Sequence, residues 1–196
     1  MGRPTKFDRD EAVETAMETI WTNGFEKSSV KNLAETLGMT RSSFYNAFGT
    51  REDLFLETVP LYAKQSPDAI LNEAQSGPVL PAVVEMFRAI CRTRAADPEA
   101  RGCMIINTIC EICPDTDGLG RDLQNMIEAS TTRFEDLMTH ARENGELPPD
   151  ADPHAIALAL QNLMIGLNVY SKVQRSEDEL WLSARTTLNG LGIPAE

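Results

Sequence analysis

Long apolar runs are what this 196-residue sequence has least of, and their scarcity argues against a chain that crosses a membrane by helices. The longest one, Ala155 to Val173, is interrupted by Gln161, Asn162, Asn168 and Lys172, polar groups that are costly in lipid, so it reads as a buried helix. Charged residues break up the amino-terminal segment from Arg3 onward, leaving no apolar core for a secretory leader, and a cytoplasmic protein is expected. A metal site on the clustered cysteines would need further ligands, and the only histidines, His140 and His154, lie well outside that cluster in sequence, so no metal is expected, and no cofactor either. Cys91, Cys103, Cys110 and Cys113 are therefore expected as thiols in a reducing compartment, not as a disulfide framework. Gly (12) and Pro (11) are not enriched, which with 42% hydrophobic and 24% charged residues sets aside fibrous and disordered classes.

Positive charge is also in deficit. The net charge is -12, which opposes binding to a polyanion, because Lys and Arg supply most non-specific affinity for nucleic acid. The deficit is unevenly spread: residues 1–55 hold seven basic side chains against nine acidic ones, and the other residues eleven against twenty-one. Any contact with DNA must then depend on where a few cations and helix ends point.

What is present is helical periodicity, with no strand alternation or hairpin signal, and the expected fold is all-α. Asp8 or Asp10 can cap a first helix whose Val13, Ala16, Met17, Ile20 and Trp21 form one apolar stripe ending at Asn23-Gly24. Ser28-Ser29 opens a short second helix with Val30, Leu33, Ala34 and Leu37 on one face, stopped at Gly38. Thr40 then caps a third, Arg41 to Phe48, closed by Gly49. Phe44, Ala47 and Phe48 fall on one side of it and Arg41, Ser42, Tyr45 and Asn46 on the other. Two short helices joined by a tight glycine turn, the second polar and aromatic on its free side, meet the needs of a helix-turn-helix. Short amphipathic helices of this kind are also common packing elements, with Tyr45 as a half-buried aromatic.

The words Gly24-Phe25, Ser28-Ser29-Val30, Leu33-Ala34, Leu37-Gly38-Met39, Ser43-Phe44-Tyr45 and Thr50-Arg51-Glu52-Asp53-Leu54 together resemble the TetR/AcrR family of bacterial regulators over the first quarter of the chain. The resemblance implies a DNA-binding regulator, most simply a repressor and not an enzyme, that reads a palindromic double-stranded operator as a homodimer and is released by a small-molecule or electrophile signal. It makes the third helix the recognition helix. Thr40, Arg41, Ser42 and Ser43 would then meet base edges or phosphates, Tyr45 and Asn46 would grip the backbone, and Ser29, Thr50 and Arg51 would lie at helix starts beside phosphates. Asn46 stands where the family often has His and carries no charge. Arg3, in Gly2-Arg3-Pro4, resembles an arm placed beside the minor groove, against the alternative of a frayed terminus. The implied division is a DNA-binding domain over residues 1–50 and a signal-binding, dimerising domain over residues 51–196, about nine helices in all.

In the second domain the apolar pattern runs Leu54, Phe55, Tyr62 and Ile70, then Val79 to Cys91. Pro60 falls inside the fourth helical segment, where it removes a hydrogen bond, as a hinge or a static kink. A helix from near Gly102 to Cys113 ends by Pro114, and a long one through Leu123, Phe134 and Met138 ends at Asn144-Gly145. The last two, Ala155 to Val173 and Glu177 to Leu191, are apolar enough to suggest a four-helix interface between two copies, with Leu160, Leu163, Leu167, Trp181 and Leu188 as its candidates. Met86, Phe87, Ile106, Phe134 and Met138 are candidates for lining a pocket for an apolar inducer.

Cys103 and Cys110, seven residues apart, project within about 20° of each other on a helix. Three readings stay open: buried thiols packed as small hydrophobes, a thiol redox protein, or a sensor. Gly102-Cys103, with Asn168, Lys172, Arg175 and Ser176, resembles the branch of the family that includes the N-ethylmaleimide-reductase repressor and responds to electrophiles and oxidants. That resemblance makes Cys103 the trigger, with Cys110 and Lys172 as its companions; a helix start and an ammonium group would both favour its thiolate.

Overall fold

The computed structural model describes residues 8–72, 77–113 and 117–196. Among them are nine α-helices, one 3-10 segment and no strand. They are α1 Arg9–Asn23, α2 Val30–Thr36, α3 Arg41–Phe48, α4 Arg51–Gln65, the 3-10 segment Pro67–Asn72, α5 Val79–Ala96, α6 Met104–Ile112, α7 Leu119–Glu143, α8 Pro153–Tyr170 and α9 Glu177–Gly190. The chain divides into two compact units, one through Gln65 and one from Ser66.

In the first unit each start and stop follows from local chemistry. The Asp8 carboxylate accepts the N–H groups of Asp10 and Glu11 at the start of α1, and Ser29 caps α2 by accepting from Asn32 N. Gly38, at φ +65, turns the chain between α2 and α3 in a region that side chains with a β-carbon avoid. Ala16, Met17 and Ile20 of α1 are buried with Leu33 of α2, Phe44 and Phe48 of α3, and Leu54, Phe55 and Tyr62 of α4. The Phe25 ring meets that of Phe55 edge-on at 5.4 Å, and Trp21 meets Tyr62 in the same way at 5.2 Å. The unit extends past the expected boundary at residue 50 because α4, continuous across Pro60, supplies the wall against which α1 packs. Ile70, expected on this helix, lies instead on the 3-10 segment.

The second unit is built on one apolar cluster. Val83, Met86, Phe87 and Ile90 of α5 pack with Phe134, Leu137 and Met138 of α7, Leu160 and Leu167 of α8, and Leu180, Ala184 and Leu188 of α9. The start of α5 has no cap from its own flanking residue, Pro78. Glu146, in the α7–α8 connection, takes that role from a distance: its two carboxylate oxygens accept the N–H groups of Val79 and Leu80, each at 2.9 Å.

His154, in the first turn of α8, has Nδ1 2.9 Å from Glu135 Oε2 on α7. The hydrogen bond to Glu135, then the charge of that carboxylate, raise the imidazole pKa above its ordinary 6.5. A raised folded-state pKa contributes stability that is fully present below the unfolded value and is lost as pH rises through the folded one. Replacing His154 with Gln should therefore lower urea-unfolding stability at pH 5.5 and leave it unchanged at pH 8.5; equal effects at both values would exclude a charged pair.

Candidate nucleic-acid interface and regulatory face

The first candidate surface is the free side of α3. Thr40 Oγ1 accepts the Ser43 N–H at 3.1 Å and lies 2.9 Å from Ser43 Oγ, so the cap also orients a hydroxyl of the helix. Phe44 and Phe48 turn inward and are buried. Arg41, Ser42, Ser43, Tyr45 and Asn46 are all exposed, Tyr45 to 55%. At the start of α4, Thr50 N and Oγ1 both donate to Asp53 Oδ2, while Asp53 N donates to Thr50 Oγ1. This reciprocal cap, the backbone bond first and the hydroxyl second, holds the Asp53 carboxyl below its ordinary pKa.

The cations are distributed less simply. Arg41 is exposed on α3, and Lys27 and Lys31 are exposed before and on α2, Lys31 with Glu35 at 4.0 Å. Arg51, expected at a phosphate, is turned inward. Its guanidinium carbon stands 4.0 Å from the Phe25 ring centroid, Nη1 donates to Phe25 O at 3.2 Å, and Nη2 pairs with Glu26 and Glu52. A planar cation on an aromatic face beside two carboxylates explains this placement. Arg3 lies outside the described residues. Lys27 and Lys31 are not among the DNA-facing residues expected from the sequence; their position on either side of the α2 N-cap, Ser29, is the signal for them.

The second candidate surface surrounds the start of α6. Cys103 is its N-cap and Cys113 its C-cap, both half-buried, so only Cys110, which is exposed, lies within the helix. Gly102, at φ +69, turns the chain immediately before this N-cap. Cys91 is buried in the core, and that burial first, with the Glu177 charge second, pushes its thiol up to about 12. Gly102 passes directly under α8. A β-carbon there would stand 2.7 Å from Asn168 O and 3.0 Å from Lys172 Cε.

Around this crossing the polar groups are paired. Arg94, buried, donates from Nε to Asn168 Oδ1 at 2.7 Å. Arg175 donates to the Ser171, Ala95 and Asp97 carbonyls and so joins the C-terminal ends of α5 and α8, where a cation is favoured. The Asp97 carboxylate accepts from Arg101 N and Glu99 N.

The structure places the residues expected at an inducer pocket and at a dimer interface as follows. Met86, Phe87, Phe134 and Met138 are closed core, with Phe87 stacked on Phe134 at 6.5 Å, and Ile106 is buried. The cavities described lie elsewhere. One of about 550 Å³ runs along α7 by Leu71, Arg133, Asp136 and His140, and another of about 270 Å³ is bounded by Ile109, Cys113, Leu123 and Ile127. Of the expected interface residues, Leu160, Leu167 and Leu188 are buried within the chain's own core and Leu163 packs against it. Trp181 donates to Glu196 O and lies under Arg88, 4.5 Å from its guanidinium carbon. Among the described residues, the exposed large apolar side chains, Tyr45 apart, are Leu158, Val169, Tyr170, Val173 and Leu182, all on α8, the turn after it and α9. They form the outer face of the same two helices, which an all-round apolar pattern could not separate from the inner one.

Gly102 combines a left-handed conformation with a backbone neighbour that cannot move aside. Gly102→Ala should cost about 1–3 kcal/mol of unfolding free energy, read as a fall in urea midpoint at constant slope. Gly145→Ala, at φ +77 with open space around it, should cost less.

Comparison with known proteins bears on both surfaces. Residues 12–58 match the family model described as bacterial regulatory proteins, tetR family, and residues 79–187 match that described as Tetracyclin repressor-like, C-terminal domain. The HTH-type transcriptional repressor ComR of Escherichia coli (strain K12) is 28% identical over 191 residues, 95% of this chain and 90% of ComR. The HTH-type transcriptional regulator YezE of Bacillus subtilis (strain 168) is 29% identical over 182 residues, 92% and 94% of the two chains. Among solved structures, a cysteine mutant of the TetR family regulator CifR, complexed with 26bp double-strand operator DNA, superposes with a TM-score of 0.84 at 26% identity, covering 95% of this chain and 98% of CifR. With both halves matched, the chain belongs to the TetR family: it is a DNA-binding transcriptional regulator and not an enzyme.

Proposed function

We propose that the chain is an operator-binding repressor that works as a homodimer and is released from DNA when Cys103 is modified by an electrophile. The observation that carries the DNA part is the exposed row Arg41, Ser42, Tyr45 and Asn46, set on a helix whose other side is anchored by Phe44 and Phe48. Arg41 and Ser42 at the N-terminal end of α3 take the base edges, and Tyr45 and Asn46 the adjoining backbone. Lys27 and Lys31 take phosphates on the side where the first helix of a helix-turn-helix crosses the strand. The naming of ComR as a repressor and the operator complex of CifR support this reading.

Two copies meet through Leu158, Val169, Tyr170, Val173 and Leu182, the apolar side chains that a single copy leaves in water. A twofold arrangement of two reading helices calls for a palindromic operator. Selection from random duplexes under reducing, low-salt conditions should recover a palindrome whose half-site centres are about one helical turn apart, or a multiple of it. With Lys27, Lys31 and Arg41 of each copy at phosphates or base edges, log affinity should fall against log salt with a slope of about -5. Arg41→Gln should cost about 1–3 kcal/mol on the selected site. Recovery of no sequence would end the operator reading.

Release is assigned to Cys103 because the residue is half-buried, occupies the N-cap position of α6, and follows the backbone segment that Lys172 and Asn168 cover. Sulfur would add to the β-carbon of an α,β-unsaturated carbonyl, its proton passing to the α-carbon, with no oxidant required. N-ethylmaleimide should release the DNA of the parent protein and leave that of Cys103→Ser bound. A mutant that responds like the parent would move the signal to another site.

A further inference from the structure

Arg9 carries a charge that its own helix disfavours. It is the first residue of α1, where the peptide dipoles present their positive end, so it is not retained for the stability of that helix. Its guanidinium reaches two other helices instead. Nη1 donates to Ala47 O at 2.5 Å and Nη2 pairs with Glu57 Oε1 at 2.6 Å, while the guanidinium carbon lies 4.9 Å from the Phe48 ring centroid. Ala47 is the penultimate residue of α3, and its carbonyl is one of the last four that a helix leaves without an intrahelical partner. Glu57 is on α4, so one side chain joins the C-terminal end of the reading helix to the helices on either side of it.

We propose that Arg9 is a positioning residue for operator recognition: it fixes α3 along and about its axis through Ala47 O and Glu57, and is not itself a phosphate contact. This rests on the reading of α3 as the DNA-facing helix. The physical case is that α3 has eight residues and buries only Phe44 and Phe48. Those two rings are on one side of the helix and resist its withdrawal from the core more than its sliding or rotation. Each residue of slip would carry Arg41 and Tyr45 about 1.5 Å along the groove. A forked cation that caps the carbonyl end, stacks on Phe48 and is held by a carboxylate opposes that slip. The side-chain exposures, 46% for Arg9 and 36% for Glu57, place the pair at the edge of the unit, where its contribution to folding is small and its effect on geometry can be seen separately.

The test uses the full chain and its selected operator. Arg9→Lys keeps the charge but loses the fork, and Glu57→Gln removes the partner without touching the cation. Positioning predicts that Arg9→Lys, Arg9→Gln and Glu57→Gln each weaken operator binding about tenfold. It also predicts that binding to a random duplex and the salt slope stay those of the parent. A phosphate contact predicts the opposite pattern: Arg9→Lys binds like the parent, Arg9→Gln loses about one unit of salt slope per half-site, and Glu57→Gln binds more tightly. A fold defect would weaken operator and random duplex alike and lower the thermal midpoint, and either of these patterns overturns the proposal. Failure of the parent to select any operator would instead count against the DNA reading itself.

Discussion

The reading helix depends on the burial of two rings. An eight-residue helix in water does not hold together on its own propensity, so α3 exists only because Phe44 and Phe48 are packed into the first unit. That anchoring leaves every other long side chain of α3 on the outside, and the residues available to meet DNA are what remains once the two phenylalanines have been placed. The neighbouring rings are used in a second way. Phe25 and Phe48 each carry a guanidinium on one face, from Arg51 and Arg9, so an aromatic core that fixes the helices also collects two of the unit's few cations.

That collection has a consequence for recognition. Residues 1–55 hold fewer basic than acidic side chains, and two of the seven cations are turned to internal partners. A surface with so little free positive charge has weak affinity for an arbitrary duplex, because counterion release is its main driving force there. On the proposed reading, discrimination then rests on fit, meaning the angle and depth at which α3 enters the groove. Electrostatic capture tolerates misplacement by an ångström and direct base readout does not. Arg9 and Arg51, held by partners within the unit, are placed to serve the second requirement more than the first.

Much of this was legible in the residues before any coordinates. Asp8, Ser29, Thr40 and the Thr50–Asp53 pair announced four helix starts, because a cap is a local hydrogen bond between residues two or three apart. Gly24, Gly38 and Gly49 announced the stops for the same reason. What failed to come through were contacts between residues far apart in sequence. Nothing near Pro78 shows that Glu146 caps α5, and nothing near Arg51 shows that Phe25 draws it inward. The outer face of α8 was missed for a different reason. Leu160 and Leu158 are equally apolar, and only packing against α5, α7 and α9 decides which of them is covered.

The same packing limits how a change at Cys103 can be felt. A signal shifts an equilibrium only by the difference in its interactions with two states, so an adduct must create a contact that one arrangement cannot accept. Gly102, beside it, has no room even for a methyl group against Asn168 O, and an adduct on the next residue brings several atoms close to that crossing. Leu160 and Leu167 hold the body of α8 in the core, where displacement would open cavities. The turn after α8 is held by hydrogen bonds: Arg175 ties Ser171 O to the Ala95 and Asp97 carbonyls at the end of α5, and Val173 N donates to Tyr170 O. On the proposed reading, strain from an adduct is taken up not in the core but at that turn. It carries Val173, the most exposed large apolar side chain among the described residues at 78%, next to Tyr170 and Val169. On that reading, a modification too small to disturb the core would act at the edge of the face through which two copies are proposed to meet.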